Sequence, residues 1–276
     1  MGRGVRSLKA LLKYYRTFQM GLKNSMEYRA NFIISIISVI FPVTIQYFLW
    51  TAVFKASSEN VVYGYNYHQM IAYAISSAII AKFVAGGFEW DVADDVKNGG
   101  LSKFIVRPVG YIKYRISSFL GTKSVQALIM LAIMGGIYAI MTEVFNFHLT
   151  AGRACVFLVT LLMSLILNFT IIFSISMLAF WINEVWGIFV IFNLLNAVVC
   201  GGVFPLDIFG KSILKLFDYL PFKYVIYYPV NILTGKTEVS MAGHIISLQL
   251  FWIGIMLIVV NLLWKIGMKK YIAAGG

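Results

Sequence analysis

The residues from Ala30 to Phe54, ANFIISIISVIFPVTIQYFLWTAVF, form a run of 25 positions without a charged side chain. A helix needs about 20 consecutive apolar residues to cross the hydrocarbon core of a bilayer, so this run is long enough to span a membrane. Pro42 lies within it and is compatible with a membrane helix, because neighbouring helices can satisfy the carbonyl that a proline frees. Arg29 and Lys55 mark the two ends of the run.

The composition of the whole chain agrees with a membrane protein. Its 276 residues are 60% hydrophobic and 12% charged, whereas an ordinary soluble domain carries about 25% charged residues. So few charges cannot cover the surface of a soluble fold, and lipid must be the solvent for much of the chain. The three histidines lack the spacing of metal ligands, and no nucleophile stands beside a base. We therefore expect no catalytic, cofactor or metal site in this chain.

Five further hydrophobic runs follow the first, so the sequence predicts an all-α integral membrane protein with six transmembrane helices. Lys82 and Lys123 lie inside the second and third runs, one or two turns from a helix end. We expect their side chains to extend to the lipid headgroups, and a role in an ion or substrate pathway is the alternative. The five runs are Met70–Phe88, Ile116–Thr142, Ala154–Asn183, Val185–Leu206 and Ile245–Trp264.

The basic residues are divided unequally between the segments that connect these runs. With the N-terminus inside, the inner segments hold 15 lysines and arginines and the outer segments hold 6. Short basic segments stay on the cytoplasmic side, so both termini are predicted to be cytoplasmic, N-in and C-in. The net charge of +12 then reflects topology and contact with anionic lipids. It does not indicate nucleic-acid binding, because no soluble domain remains to present a solvated basic face.

Two segments outside the spans have patterns of their own. Residues 1–29 predict a cytoplasmic amphipathic helix that lies in the membrane interface, although a helix packed on a partner protein fits the same pattern. Residues 30–276 then form a single six-helix transmembrane domain. Within it, the outer segment 207–239 is too apolar for a free loop and too interrupted by prolines for a span, which predicts short re-entrant helices before the last span. The apolar stripe of the N-terminal helix is Val5, Leu8, Leu12, Tyr15, Phe18 and Leu22.

The inner loop, residues 89–115, keeps apolar side chains among its charges. An ordinary solvated loop does not explain this pattern, so we expect the loop to dock on another surface. Two consecutive glycines predict a sharp turn, because glycine takes positive φ without steric cost. The apolar residues after them would form a knob, and an Arg-Pro pair would add a fixed positive fork and a rigid exit. We call the part of the inner loop that would dock the coupling loop. Its residues are Val96, Gly99, Gly100, Leu101, Phe104, Ile105, Arg107 and Pro108.

Three stretches resemble a known family. The sequence VKNGGL at 96–101, followed by FIVRPV at 104–109, resembles the cytoplasmic loop of ATP-binding-cassette exporter permeases of the ABC-2 type. The likeness is to the bacterial branch whose loop ends in Arg-Pro-Val. The C-terminal GMKKYIAAGG at 267–276 and the LKNSMEYRANF at 22–32 are similar to the corresponding segments of that branch.

This resemblance implies a permease subunit in a bacterial cytoplasmic membrane that does no chemistry itself. Two cytoplasmic ATP-binding-cassette ATPase subunits would bind the ATP and Mg²⁺, and a second permease, identical or related, would complete the exporter. The N-terminal helix and the coupling loop would contact the ATPases. Asn168, Asn193 and Asn196 could line the pathway, although an interhelical hydrogen bond is the commoner role for such residues. A secondary transporter, or a membrane enzyme or assembly factor without an ATPase partner, are the alternatives.

Overall fold

The computed structural model describes residues 2–106, 109–145 and 149–271, and most of these residues are helical. One two-stranded antiparallel hairpin, β1 (Val61–Val62) and β2 (Tyr65–Asn66), lies between the third and fourth helices. The α-helices are α1 (Gly2–Glu27), α2 (Arg29–Ile37), α3 (Ile40–Ala56), α4 (Tyr67–Val84), α5 (Glu89–Lys97), α6 (Ser102–Val106), α7 (Tyr111–Phe145), α8 (Ala151–Ser176), α9 (Trp186–Val199), α10 (Gly210–Asp218), α11 (Tyr227–Leu233) and α12 (Ala242–Lys270).

Five helical segments of the described chain are long and apolar enough to cross a membrane. The first of them bends between α2 and α3, because the ring of Pro42 excludes the carbonyl four residues before it, at Ser38. In the segments that contain α4 and α8, most residues of the apolar stretch are buried, whereas in those that contain α3, α7 and α12 only about a fifth are buried. The five segments are Arg29–Ala56, Tyr67–Lys97, Tyr111–Ile140, Ala151–Phe180 and Val239–Lys270.

The predicted fifth span, Val185–Leu206, does not form a full-length helix. It contains α9, which has 14 residues and is about 21 Å long at 1.5 Å per residue. The hydrocarbon core of a bilayer is about 30 Å thick, so α9 alone is too short to cross it. Five of the six predicted transmembrane helices are therefore long enough to cross a membrane, and the fifth in chain order is not.

The chain nevertheless runs from one end of the bundle to the other through α9 and the residues after it. Near its start, α9 places the ring of Phe189 against Trp90 of α5, with 5.1 Å between ring centroids. Beyond its end, Asp207 accepts a hydrogen bond of 3.0 Å from Tyr65 of the hairpin. These contacts define two ends of the molecule, which we call the α5 end and the hairpin end.

Segments from both termini meet at the α5 end. Ser102 of α6 shares a hydrogen bond of 3.1 Å with the hydroxyl of Tyr271, directly after α12. The backbone N–H of Gly110 donates to the hydroxyl of Tyr14 in α1 at 3.2 Å. The C-terminal end of α12 and the middle of α1 therefore lie beside the coupling loop.

Helix α1 packs along the first turns of α7 through small residues. A Cβ atom on Gly21 would overlap the carbonyl oxygen of Ser118, and one on Gly121 would overlap the carbonyl of Phe18. Only glycine allows the two backbones to approach so closely. The C-terminal part of the predicted apolar stripe takes part in this contact, because Phe18 and Leu22 lie against Gly121, whereas Leu12 and Tyr15 remain exposed. Gly21 and the stripe residues Phe18 and Leu22 therefore lie at the tight intramolecular interface with α7.

Candidate functional site

The coupling loop contains the sharp turn that its glycines predict. Helix α5 ends just before Gly99, which has φ +74°, a conformation that glycine adopts without strain. The chain then folds back, so that the N–H of Leu101 donates to the carbonyl of Asp95 at 3.0 Å. Gly100 has no room for a side chain, because a Cβ atom there would overlap the Asp95 carboxylate. Both glycines are thus required by the backbone geometry of this turn.

A buried carboxylate holds the turn to the start of α7. Asp95 pairs with the guanidinium of Arg115, accepts a hydrogen bond of 2.9 Å from Tyr111 and lies 3.2 Å from Lys103 Nζ. Arg115 also pairs with Asp91 at 3.1 Å. Charge-assisted hydrogen bonds of this kind are stronger than neutral ones. We call these five residues the Asp95 cluster; it links α5, α6 and α7.

The exposed knob of the coupling loop differs from the one that the sequence predicts. The prediction that Leu101 offers an apolar surface to a partner is wrong, because its side chain is only 1% exposed, and Val96 is also buried. Phe104 is half-buried, with its ring against the rings of Tyr111 and Tyr114. These side chains fill the chain's own core. Ile105 lies in α6, while Arg107 and Pro108 fall outside the described residues.

The residue that α6 presents outward is Val106, whose side chain is 82% exposed. On its inner side, α6 reaches α12 through the hydrogen bond between Ser102 and Tyr271. Next to it, the ring of Tyr111 stacks on Trp264 of α12, with 5.2 Å between centroids and 10° between planes. A force applied to α6 would therefore act directly on α7 and α12.

The helix that precedes the coupling loop is broken near the α5 end. Helix α4 ends at Val84, residues 85–88 are not helical, and α5 begins at Glu89. Such a break leaves carbonyl groups without helical partners, and within a membrane these must be satisfied by protein groups. Lys123 Nζ donates to the carbonyl of Phe83 at 2.6 Å, and Asn168 Nδ2 donates to the carbonyl of Val84 at 2.7 Å. The break interrupts the predicted run Met70–Phe88, and Gly86 and Gly87 are the local signal that could have indicated it.

The expectation that Lys123 extends to the lipid headgroups is wrong. Its side chain is buried, and its ammonium lies over the rings of Phe83 and Phe119, at 5.7 Å and 5.4 Å from their centroids. The positive charge is stabilised by the carbonyl at the helix end and by these aromatic faces. Lys123 therefore belongs to the interior of the bundle, where it closes the end of α4.

The three asparagines predicted for the pathway make hydrogen bonds between helices. Asn196 Nδ2 donates to Asn168 Oδ1 at 3.3 Å, which joins α9 to α8. Asn193 Nδ2 donates to Glu89 Oε1 at 3.1 Å, which joins α9 to α5. The other carboxylate oxygen of Glu89 is buried and has no hydrogen-bond partner among the described residues. The lining of a substrate pathway by these asparagines stays a prediction.

Two adjoining cavities open beside the break, a feature that the sequence did not reveal. Their volumes are about 200 Å³ and about 400 Å³, and both are lined by Gly86, Gly87 and Lys123. The larger one lies between the junction of α1 and α2, the end of α4, and α7. Its described lining includes Lys82 and Lys123 and no carboxylate. We call this larger space the polar cavity.

At the hairpin end, Asp207 holds the segment 207–239 to the rest of the chain. Its carboxylate accepts hydrogen bonds of 3.0 Å from both Tyr65 and Tyr227, and it pairs with Lys236 at 2.7 Å. Burial raises the pKa of the Tyr65 and Tyr227 hydroxyls and lowers the pKa of Lys236. The segment contains the short helices α10 and α11, and α11 is almost fully buried. Their re-entrant position in a membrane stays a prediction.

A family model described as "ABC-2 family transporter protein" matches residues 19–275. The match therefore covers all of the candidate spans, the coupling loop and the hairpin end. No curated protein and no solved structure matches the chain.

Proposed function

Because the chain belongs to the ABC-2 family of transporter proteins, we propose that it is the permease subunit of an ATP-driven exporter in a bacterial cytoplasmic membrane. In this proposal the chain crosses the membrane several times and forms the substrate pathway, without chemistry of its own. Two ATP-binding-cassette ATPase subunits bind ATP and Mg²⁺. A second permease, identical or related, completes the complex.

The α5 end faces the cytoplasm in this proposal. It brings together α1, the coupling loop and the end of α12, which are the segments rich in lysine and arginine, and short basic segments stay on the cytoplasmic side. A cysteine introduced at Asn98, in a chain without Cys155 and Cys200, should react with a membrane-impermeant reagent only after the cells are opened. Labelling in intact cells would reverse the orientation.

The geometry of α6 is the observation that supports coupling to an ATPase. The helix is fixed on its inner side to α7 and α12, while Val106 remains exposed on its outer side. A loop that merely joins two spans does not need such a rigid attachment. An ATPase that binds α6 would move α7 through the contact of Phe104 with Tyr111 and α12 through the hydrogen bond of Ser102 with Tyr271. Because interfaces and packed cores respond as bistable units, a small displacement there can shift whole helices.

Replacing Val106 with aspartate tests this role without disturbing the core, because the side chain is exposed in the free subunit. A charge placed where an apolar anchor docks should cost about 2 kcal/mol of binding, roughly thirtyfold in affinity for the ATPase. The chain should still be inserted and folded. The measurement is recovery of the ATPase with the tagged chain when the whole operon is expressed, together with transport-linked ATP hydrolysis.

Ile182→Asp is the matched control. Ile182 is an exposed isoleucine at the same end of the bundle, but it lies outside α6 in the connection between α8 and α9. We expect this variant to retain the ATPase. Normal recovery and hydrolysis with Val106→Asp, or an equal loss with both variants, would contradict coupling through α6.

A further inference from the structure

We propose that the seam between α2–α3, α4 and α7 binds an amphiphile that has an anionic headgroup and an apolar chain. The headgroup would occupy the polar cavity at the α5 end, and the chain would lie in an apolar groove farther along the same helices. The proposal goes beyond transport, because it does not require that the bound amphiphile be the exported substrate.

The polar cavity has the charge of an anion site. Two lysines line its volume of about 400 Å³, and its described lining includes no carboxylate. The buried Glu89 carboxylate lies next to the lining residue Gly86 and interacts with Lys123, so the uncompensated charge is that of Lys82. Lys82 makes no hydrogen bond and no ion pair with any other described residue. Lys123 gives one N–H to the carbonyl of Phe83, which leaves two of its three donors for a ligand. Basic pockets between membrane helices are typical binding sites for anionic lipid headgroups.

Side-chain amides around the cavity add neutral donors. Asn24, Asn31 and Gln126 all line it. The side chains of Asn24 and Asn31 make no hydrogen bond within the described part of the chain. Gln126 Oε1 is buried and has no partner among the described residues. Because an amide can be turned so that its nitrogen replaces its oxygen, Gln126 can also present a donor to a phosphate-like group.

An apolar groove of about 350 Å³ continues the seam beyond the polar cavity. Isoleucines, valines and one threonine from α2, α3, α4 and α7 line it. On α4, Ile79 of the groove lies three residues before Lys82, and on α7, Ile133 of the groove lies seven residues after Gln126. At 1.5 Å per residue, the groove begins about 5 to 11 Å from the polar cavity. A polar and an apolar compartment in this order match an amphiphile.

The seam opens on a surface that lipid covers. Ile33, Ile34 and Ile37 on α2 are exposed beside it, and such an apolar patch on a membrane helix faces the bilayer. An acyl chain gains little by leaving lipid for an equally apolar groove. Selectivity must therefore come from the headgroup and from the two lysines. The lysines therefore recognise the headgroup, and the groove positions the apolar chain.

The test measures binding of dioleoyl phosphatidylglycerol to the purified full chain by native mass spectrometry in a neutral detergent. We expect one saturable molecule per chain. Dioleoyl phosphatidylcholine has the same chains but no net charge, so it should bind at least about tenfold more weakly. Dihexanoyl phosphatidylglycerol and inorganic phosphate keep the anionic group and shorten or remove the chain, so they should also bind more weakly.

Lys82→Gln should weaken binding of dioleoyl phosphatidylglycerol about tenfold, because it removes one charge-assisted hydrogen bond. Lys82→Arg should retain most of the affinity, which shows that the cavity is intact. The matched control is Lys113→Gln, which removes one exposed charge at the same end of α7 but touches neither compartment. It should change the affinity less than about twofold.

Three results would overturn the proposal. Equal binding by the wild type and Lys82→Gln would exclude the polar cavity as the headgroup site. An equal loss with Lys113→Gln would indicate general attraction to a basic surface. Inorganic phosphate that binds as tightly as dioleoyl phosphatidylglycerol would indicate a free anion as the ligand. A failure of ATPase coupling through α6 would leave all of these measurements unaffected.

Discussion

Replacing Asp95 with asparagine tests whether a buried ion pair holds the coupling loop. The Asp95 side chain is 9% exposed and that of Arg115 is 12% exposed. Asp91, the second carboxylate beside Arg115, is 66% exposed. Removing one partner of a buried ion pair costs about 3–5 kcal/mol, because the other charge remains without compensation. An exposed pair contributes at most about 1 kcal/mol, because water and salt screen it.

The two carboxylates therefore make a matched comparison around one guanidinium. Since Arg115 keeps Asp91 when Asp95 is changed, we expect Asp95→Asn to cost about 2–3 kcal/mol of local stability, below the full range for a buried pair. Asp91→Asn should cost less than about 1 kcal/mol. A double-mutant cycle with Arg115→Gln should assign most of the loss to the pair of Asp95 and Arg115.

Thermolysin cleavage beside the buried Leu101 reports this loss, because the bond becomes accessible only when the loop opens. At low protease concentration, the cleavage rate follows the population of the open form. A change of about 2–3 kcal/mol should accelerate cleavage roughly 30-fold to 150-fold in Asp95→Asn. Acceleration in Asp91→Asn should stay below roughly fivefold. Equal acceleration in the two variants would refute the idea that burial sets the strength of the cluster.

Two further predictions concern α1 and the hairpin end. Gly121→Ala should lower the free energy of unfolding by about 1–3 kcal/mol, because the new methyl group overlaps the backbone of α1. Gly136→Ala on the same helix, where a Cβ atom meets nothing within 4 Å, should raise it by up to about 1 kcal/mol. Thermal unfolding in one detergent measures both variants, and changes of the same sign would contradict the packing argument. Burial raises the pKa of Tyr65 and Tyr227, so their contribution to stability is present below the tyrosine pKa of about 10 in the unfolded chain and is lost as the pH rises above it. Burial lowers the pKa of Lys236, so the contribution of this lysine to stability increases as the pH rises towards its unfolded pKa of about 10.5. This effect has the opposite sign to that of the tyrosines, but one lysine acts against two tyrosines. Tyr65→Phe should therefore reduce the loss of thermal stability between about pH 9 and pH 11, and an unchanged slope would argue against a buried neutral hydroxyl.

Several features of the protein could be predicted from its sequence, because they depend on local composition. A bilayer requires helices of nearly fixed length, so uncharged runs such as Ala30–Phe54 indicate spans without knowledge of any contact. The turn at Gly99 was also predictable, since a backbone that needs positive φ selects glycine. The family resemblance came from equally local motifs, and the match over residues 19–275 confirms the ABC-2 transporter family.

The tertiary structure alone decided which side chains those segments bury. Leu101 is apolar and lies in a charged loop, and nothing in its neighbourhood along the chain distinguishes an exposed anchor from a core residue. Lys123 closes a helix end 40 residues away, and Asn168 satisfies a carbonyl 84 residues away. Periodicity and run length describe one helix at a time, so they contain no information about a partner on another helix. The polar cavity and the buried ion pair depend on such partners, and for this reason only the packed structure could reveal them.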